Sequence, residues 1–300
     1  MAQTTANGIA IEYETHGPAN GAPILMIMGL GWQLTRWPAQ IIANLVDAGH
    51  RVITFDNRDI GLSQKVDELG PPNLPEIMAA RMAGRAATAP YALDDMARDA
   101  VGVLDALGIP RAHIVGASMG GMIGQLVAAD HGARALSLTS IMSSSANPAL
   151  PPPRPAAMAL FATRPPDPKT DFEGFVARGI STARVLQSPA FPEPDETLRA
   201  RVVADYERCY HPPGFARQYA AIIAAPDRRP KLKKLNLPVV VVHGADDPLV
   251  PVEAGRDTAE NAPGSEIQVV PGMGHDFPPQ LDRVVSDAVL RAIQRSAGVQ

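Results

Sequence analysis

The chain lacks most of what would mark a specialised setting. It has a single cysteine, Cys209, so no disulfide can close within it and no cysteine cluster can hold a metal. That thiol is expected to be an inert structural residue on a helix. No apolar run reaches the roughly 18 residues that a membrane-spanning helix needs. The opening MAQTTANGIAIEYETHG has no basic start, no apolar stretch and no small-residue cleavage site, unlike a secretory signal. Charge of one sign is missing too: 27 Lys and Arg against 31 Asp and Glu leave a net charge of −4, with no basic face to hold nucleic acid. No period suggests repeats. These absences lead to the expectation of a soluble cytoplasmic protein with neither a nucleic acid nor a membrane as partner.

What the chain does have is apolar bulk and a regular rhythm. Of its 300 residues 46% are hydrophobic and 19% charged, enough to bury a sizeable core. IAIEYETHG alternates as a half-exposed strand does. PILMIMG, RVITFD, AHIVGAS, LSLTSIM, PVVVVHG and SEIQVVPG are short apolar runs of the buried-strand kind. Between them lie stretches with helical spacing, including WPAQIIANLVDAGH, LDDMARDAVGVLDALGI, GGMIGQLVAADHG, VEAGRDTAENA and LDRVVSDAVLRAIQR. Strands alternating with helices predict an α/β protein with a mostly parallel sheet covered on both faces.

From residue 143 to 235 strand signals stop. The stretch opens on NPALPPPRPAAMALFATRPPDPK, too rich in proline for long regular elements, and continues with helical patterns before the sheet pattern resumes. We therefore expect a core domain of residues 1–142 and 236–300, with 143–235 inserted as a helical cap over one end of the sheet. A smaller insertion, PPNLPEIMAARMAGRAATAP at 71–90, carries Met78 and Met82; core packing is the expected role of both, and lining a pocket is the alternative.

One serine stands where a strand turns at once into a helix, in HIVGASMGGMIGQ. Gly116 and Gly120, two residues either side of Ser118, lack the Cβ atoms that would strike neighbouring backbone. The turn residue is expected in strained geometry, projecting its hydroxyl at the C-terminal edge of the sheet, where open α/β folds bind ligands. G-x-S-x-G between strand and helix is the pattern of a nucleophile elbow. The N–H of Met119, at the helix start, is free to donate to a developing oxyanion.

A serine nucleophile needs a base, and the base an orienting acid. Of seven histidines, six fall where structural roles are expected. His275, in VVPGMGHDFP, lies just past the last strand, in a loop opening at the same edge as Ser118. The acid should follow the preceding strand, where VVVVHGADDPLVP offers Asp247 and Asp246. Asp247 is favoured because Pro248 biases it towards an extended conformation.

With the order Ser, Asp, His, the chain resembles the α/β-hydrolase superfamily, in particular its capped esterase-like members such as the aclacinomycin methylesterases. The resemblance rests on LMIMGLG, VITFDNRDIGLS, HIVGASMGGMIGQ, HGADDPLVP and PGMGHDFP and spans essentially the whole chain. In the family pattern G-x-x-D-x-x-x-P, Gly244, Asp247 and Pro251 match, which adds to the case for Asp247. The resemblance implies a second oxyanion donor at the N–H of Leu30, after Gly29. It also exposes two departures: Met28 stands where most relatives carry histidine, and Asp59 replaces a glycine in D-x-R-G-x-G-x-S.

The expected function is a serine carboxylesterase, with Ser118, His275 and Asp247 as its catalytic residues and no metal or organic cofactor. A pocket edged by Met28, Trp32 and Met142 implies neutral, fairly hydrophobic esters of short to medium length as small-molecule substrates. Lactone or carbon–carbon bond hydrolysis on the same residues is the alternative, and a ligand-sensing protein on a hydrolase scaffold stands behind it.

Overall fold

The structure, a computed structural model, describes residues 1–298. Eight strands form one sheet: β1 (Ala2–Ala6), β2 (Ile9–His16), β3 (Ala22–Ile27), β4 (His50–Phe55), β5 (Ala112–Ala117), β6 (Ala135–Ile141), β7 (Val239–Gly244) and β8 (Glu266–Val270). Their order is β1-β2-β4-β3-β5-β6-β7-β8. β1 and β2 pair antiparallel and β2 joins β4 antiparallel; every later pairing is parallel. The helices are α1 (Ala39–Asp47), α2 (Leu74–Met82), α3 (Leu93–Ala106), α4 (Met119–Asp130), α5 (Pro155–Ala159), α6 (Phe172–Leu186), α7 (Asp195–Arg208), α8 (Pro212–Ala224), α9 (Arg229–Leu232), α10 (Val252–Asn261) and α11 (Asp282–Ala297).

Two-residue alternation sends the central strands into two cores. Leu25, Ile27, Ile53, Phe55 and Ile114 face one side, against Met96, Val103 and Leu104 of α3 and Ile123 and Leu126 of α4. Ile24, Met26, Val52, Val115 and Val240 face the other, against Ile41 and Leu45 of α1 and Val285 and Val289 of α11. Covering both faces is what makes the strands read as continuous apolar runs. It also leaves their C-terminal ends, from which the loops to the helices depart, as the place where polar side chains can gather.

Between β6 and β7 the chain carries α5 to α9, and no strand lies in this segment. The proline-dense stretch supports only the five residues of α5. One strand was not anticipated and two expectations need correcting. β1 is an edge strand whose AQTTA is mostly exposed, so it lacks the apolar alternation that would have announced it. Met78 and Met82 are not core residues: they are exposed on α2, Met82 at 88%. Cys209 stands at the C-cap of α7 rather than within a helix, half-buried.

Candidate active site

The backbone at Ser118 has φ 54° and ψ −119°, a conformation that costs an L-residue on the order of 1–3 kcal/mol. The turn is possible because of its glycines. A Cβ on Gly116 would overlap the carbonyl of Gly120, and one on Gly120 would overlap that of Ile27. Two hydrogen bonds hold the strained residue in place: its N–H donates to Ile141 O at 2.9 Å, and Ser143 Oγ donates to its carbonyl at 2.7 Å.

Ser118 Oγ lies 3.0 Å from His275 Nε2, and His275 Nδ1 lies 2.7 Å from Asp247 Oδ2. An ionised carboxylate can only accept, so Nδ1 carries the proton and Nε2 is left to accept from the serine hydroxyl. The other oxygen of Asp247 accepts from Leu249 N at 2.9 Å and Val250 N at 2.8 Å. The turn after β7 thus fixes the carboxylate independently of the histidine. Asp246 is committed elsewhere: its Oδ2 accepts from Gly272 N at 2.9 Å, which ties the turn after β8 to that after β7.

Behind Asp247 sits His243, fully buried, with Nε2 2.7 Å from Val250 O and 3.6 Å from Asp247 Oδ2. Burial pushes this imidazole below its ordinary range. It is neutral at neutral pH and does not compete with His275 for the carboxylate's charge.

On the other side of the serine, Gly29 packs so closely that a Cβ there would lie 3.2 Å from Ser118 Cβ. The same Cβ would lie 3.7 Å from Ser118 Oγ, so the chain passes the hydroxyl at Gly29, one residue before Leu30. Among the described residues the N–H groups of Leu30 and Met119 donate to no protein acceptor. Asn57 Nδ2 donates to Met28 O at 2.9 Å, anchoring the start of this loop.

Of the residues expected to edge a pocket, Trp32 is half-buried, with the Arg36 guanidinium 4.8 Å from its ring centre. It packs against the core cluster that holds Met28 and Met142. Both have no exposed surface and pack in the core beside Trp37, Val115 and Ile141. They belong to the sheet's own packing, the competing fate of any methionine at a strand end.

Several residues around the site carried no signal in the sequence, because their partners lie 86 or more positions away. Gln218 of α8 accepts from Gly31 N at 2.9 Å and donates to Arg58 O at 2.9 Å. Arg208 of α7 reaches Asp56 at 2.8 Å and Gln33 at 2.6 Å. The loop bearing His275 is held by the end of α6 and the turn beyond it. His275 N donates to Leu186 O at 2.7 Å, Gly274 N to Ser188 Oγ at 2.9 Å and Ser188 N to Asp276 Oδ1 at 3.0 Å. Burial pushes the Asp276 carboxyl above its usual range.

Asp59, the departure in DNRDIGLS, has φ 72°, which explains why a glycine suits that position. Its carboxylate meets Arg217 of α8 through two bonds of 2.8 Å. Burial alone would raise this carboxyl, but the guanidinium and the N–H of Val66 bring it below its ordinary value. Asp59, Asp67 and His211 also converge closely enough to suggest a cation site. Arg217 already contacts both carboxylates, so the cluster is an ion-pair network with its positive charge supplied by the chain.

Residues 22–279 match the family described as alpha/beta hydrolase fold. Rhodomycin D methylesterase DnrP of Streptomyces peucetius is 26% identical over 304 residues, covering 95% of each chain. RutD of Variovorax paradoxus (strain S110), whose name assigns it provisionally to carbamate hydrolysis, is 31% identical over 273 residues, covering 88% of this chain and 89% of that one. 3-Oxoadipate enol-lactonase 2 of Acinetobacter baylyi is 26% identical over 269 residues, covering 89% and 86%.

Proposed function

Because the chain belongs to the alpha/beta hydrolase fold family, we propose that it is a serine hydrolase that cleaves neutral, fairly hydrophobic carboxylic esters of short to medium length. The observation that carries this reading is the unbroken chain of hydrogen bonds from Ser118 Oγ through His275 to Asp247. A serine is nucleophilic only when a base takes its proton.

In the proposed reaction Ser118 Oγ attacks the ester carbonyl carbon while its proton passes to His275 Nε2. Asp247 holds the ring in the tautomer that can accept and stabilises the cation that results. The oxyanion takes hydrogen bonds from the N–H groups of Leu30 and Met119. Loss of one such donor costs on the order of 100- to 1000-fold in rate in other serine hydrolases. The carbon–oxygen bond to the alcohol breaks, and the alcohol leaves with the proton from His275. Water then loses a proton to His275 as it attacks the acyl group. Breakdown of that adduct frees the carboxylic acid and returns the proton to Ser118.

Residues 143–235 act as a cap in this reading, supported by their contacts with both loops beside Ser118. The half-buried Leu30 and Trp32 and Phe215 of α8, whose ring would lie 2.6 Å from a Cβ on Gly31, favour an apolar substrate. The methylesterase relative favours a small alcohol as leaving group.

Ser118→Ala tests the reading. It should remove most of a roughly million-fold rate advantage on an aryl ester, and retained turnover would refute the assignment. Lactone opening is the second reading, favoured by the enol-lactonase relative. The same acyl-enzyme would form, with the alcohol remaining tethered to the acyl group. A panel of open-chain esters and lactones separates the two by kcat/KM.

A further inference from the structure

Gln218 is buried in the middle of α8 with no exposed side-chain surface. Its two polar atoms are used in opposite senses: Oε1 accepts from Gly31 N and Nε2 donates to Arg58 O, both at 2.9 Å. No other amide orientation satisfies both partners, since an N–H cannot be accepted by an NH2 group. The Leu30–Gly31 peptide plane is therefore held by a side chain from the helical segment between β6 and β7.

The consequence falls on Leu30. Its N–H belongs to the preceding peptide, Gly29–Leu30, whose carbonyl, Gly29 O, accepts from Trp32 N at 3.3 Å; the packing of Gly29 on Ser118 and the Asn57 bond to Met28 O hold the chain just before it. Gly31 has φ 69° and would swing easily without a fixed partner, because glycine has little steric preference. With the plane after Leu30 clasped by Gln218, and the one before it wedged against Ser118, the Leu30 N–H has one direction. Gln33, two residues on, is held in turn by Asp205 O and Cys209 O.

We infer that Gln218 is a positioning residue for the oxyanion donor at Leu30, so that the helical segment sets the catalytic geometry as well as covering the site. This rests on the serine-hydrolase reading above. The bond from Gln218 acts on the transition state, since an oxyanion donor matters most where negative charge develops.

Gln218→Met keeps the length and volume and removes both hydrogen bonds. Its kcat on an aryl ester should fall about 100-fold, with KM changed by no more than about threefold. Inhibition by an arylboronic acid, which forms a tetrahedral adduct on the serine, should weaken by a similar factor. Gln218→Glu supplies a second test that does not depend on how well the Met variant folds. The neutral acid offers one donor and one acceptor as glutamine does; the carboxylate offers acceptors only. The ratio of its kcat to that of the parent should therefore drop as pH rises.

A Gln218→Met kcat and boronate affinity within about twofold of the parent, a change in KM alone, or a flat ratio for Gln218→Glu would overturn the inference. Ser118→Ala run alongside separates the two levels. Turnover surviving there overturns the nucleophile and with it the role of Gln218, whereas an inactive Ser118→Ala beside a fully active Gln218→Met overturns the positioning role alone.

Discussion

Asp246 and Asp247 are adjacent and chemically alike, yet their surroundings give them opposite prospects. Asp247 uses one oxygen on two backbone N–H groups and the other on His275, so exchanging it for Asn puts an NH2 group where an acceptor is required. Asp247→Asn should cost on the order of 10⁴-fold in kcat through the wrong histidine tautomer, with the melting temperature little changed. Asp246→Asn keeps an oxygen for Gly272 N and should leave kcat within about threefold. Steady-state kinetics of the two variants side by side make the comparison, and equal losses would contradict it. Proline and motif spacing made this pair legible in the sequence. The burial of Met28 and Met142 was not legible, because a methionine at a strand end can turn either into the core or towards a cleft.

At the scale of elements, α8 bears on the loops after β3 and β4 through Gln218 and Arg217, neither of which has a local sequence signature. Periodicity locates helices but is silent about which distant loop a helix face meets. The glycine-to-Asp59 departure was visible in the motif; its partner Arg217, 158 positions away, was not. The Arg217 guanidinium beside Asp59 compensates a carboxylate with no exposed side-chain surface. Arg217→Met should therefore destabilise by about 3–5 kcal/mol, the cost of leaving a buried charge without its partner. Adding Asp59→Gly removes the stranded charge and restores a residue suited to φ 72°, so the double variant should recover most of that loss. Denaturant unfolding of the single and double variants checks this; an additive loss would argue against the coupling.

For the molecule as a whole, buried neutral histidines tie stability to pH. His113 has its pKa lowered to about 4, by burial first and then by His50 and Arg111, and burial lowers that of His243. Their unfolded counterparts protonate near 6.5, so below that pH the unfolded chain binds more protons and stability falls as pH drops towards the folded values. His113 alone accounts for about 3 kcal/mol between pH 6.5 and 4. Asp276 and Asp282, whose carboxyls burial raises, work in the opposite sense, gaining stability as they protonate. The expected result is a melting temperature that declines below pH 6.5, and a decline that is shallower in His113→Gln. The sheet and its two cores were legible because periodicity reports burial directly. The exposed edge strand β1 was not, since its pairing with β2 supplies order that its own side chains do not encode.

Among all these measurements, site-resolved labelling by a fluorophosphonate bears most directly on the proposal that His275 activates Ser118 as the nucleophile. The phosphonyl group should appear once per chain, on Ser118, and His275→Ala should slow its attachment by about 10³-fold, the scale of a lost general base. Attachment at another residue, or an undiminished rate without the imidazole, would contradict the account.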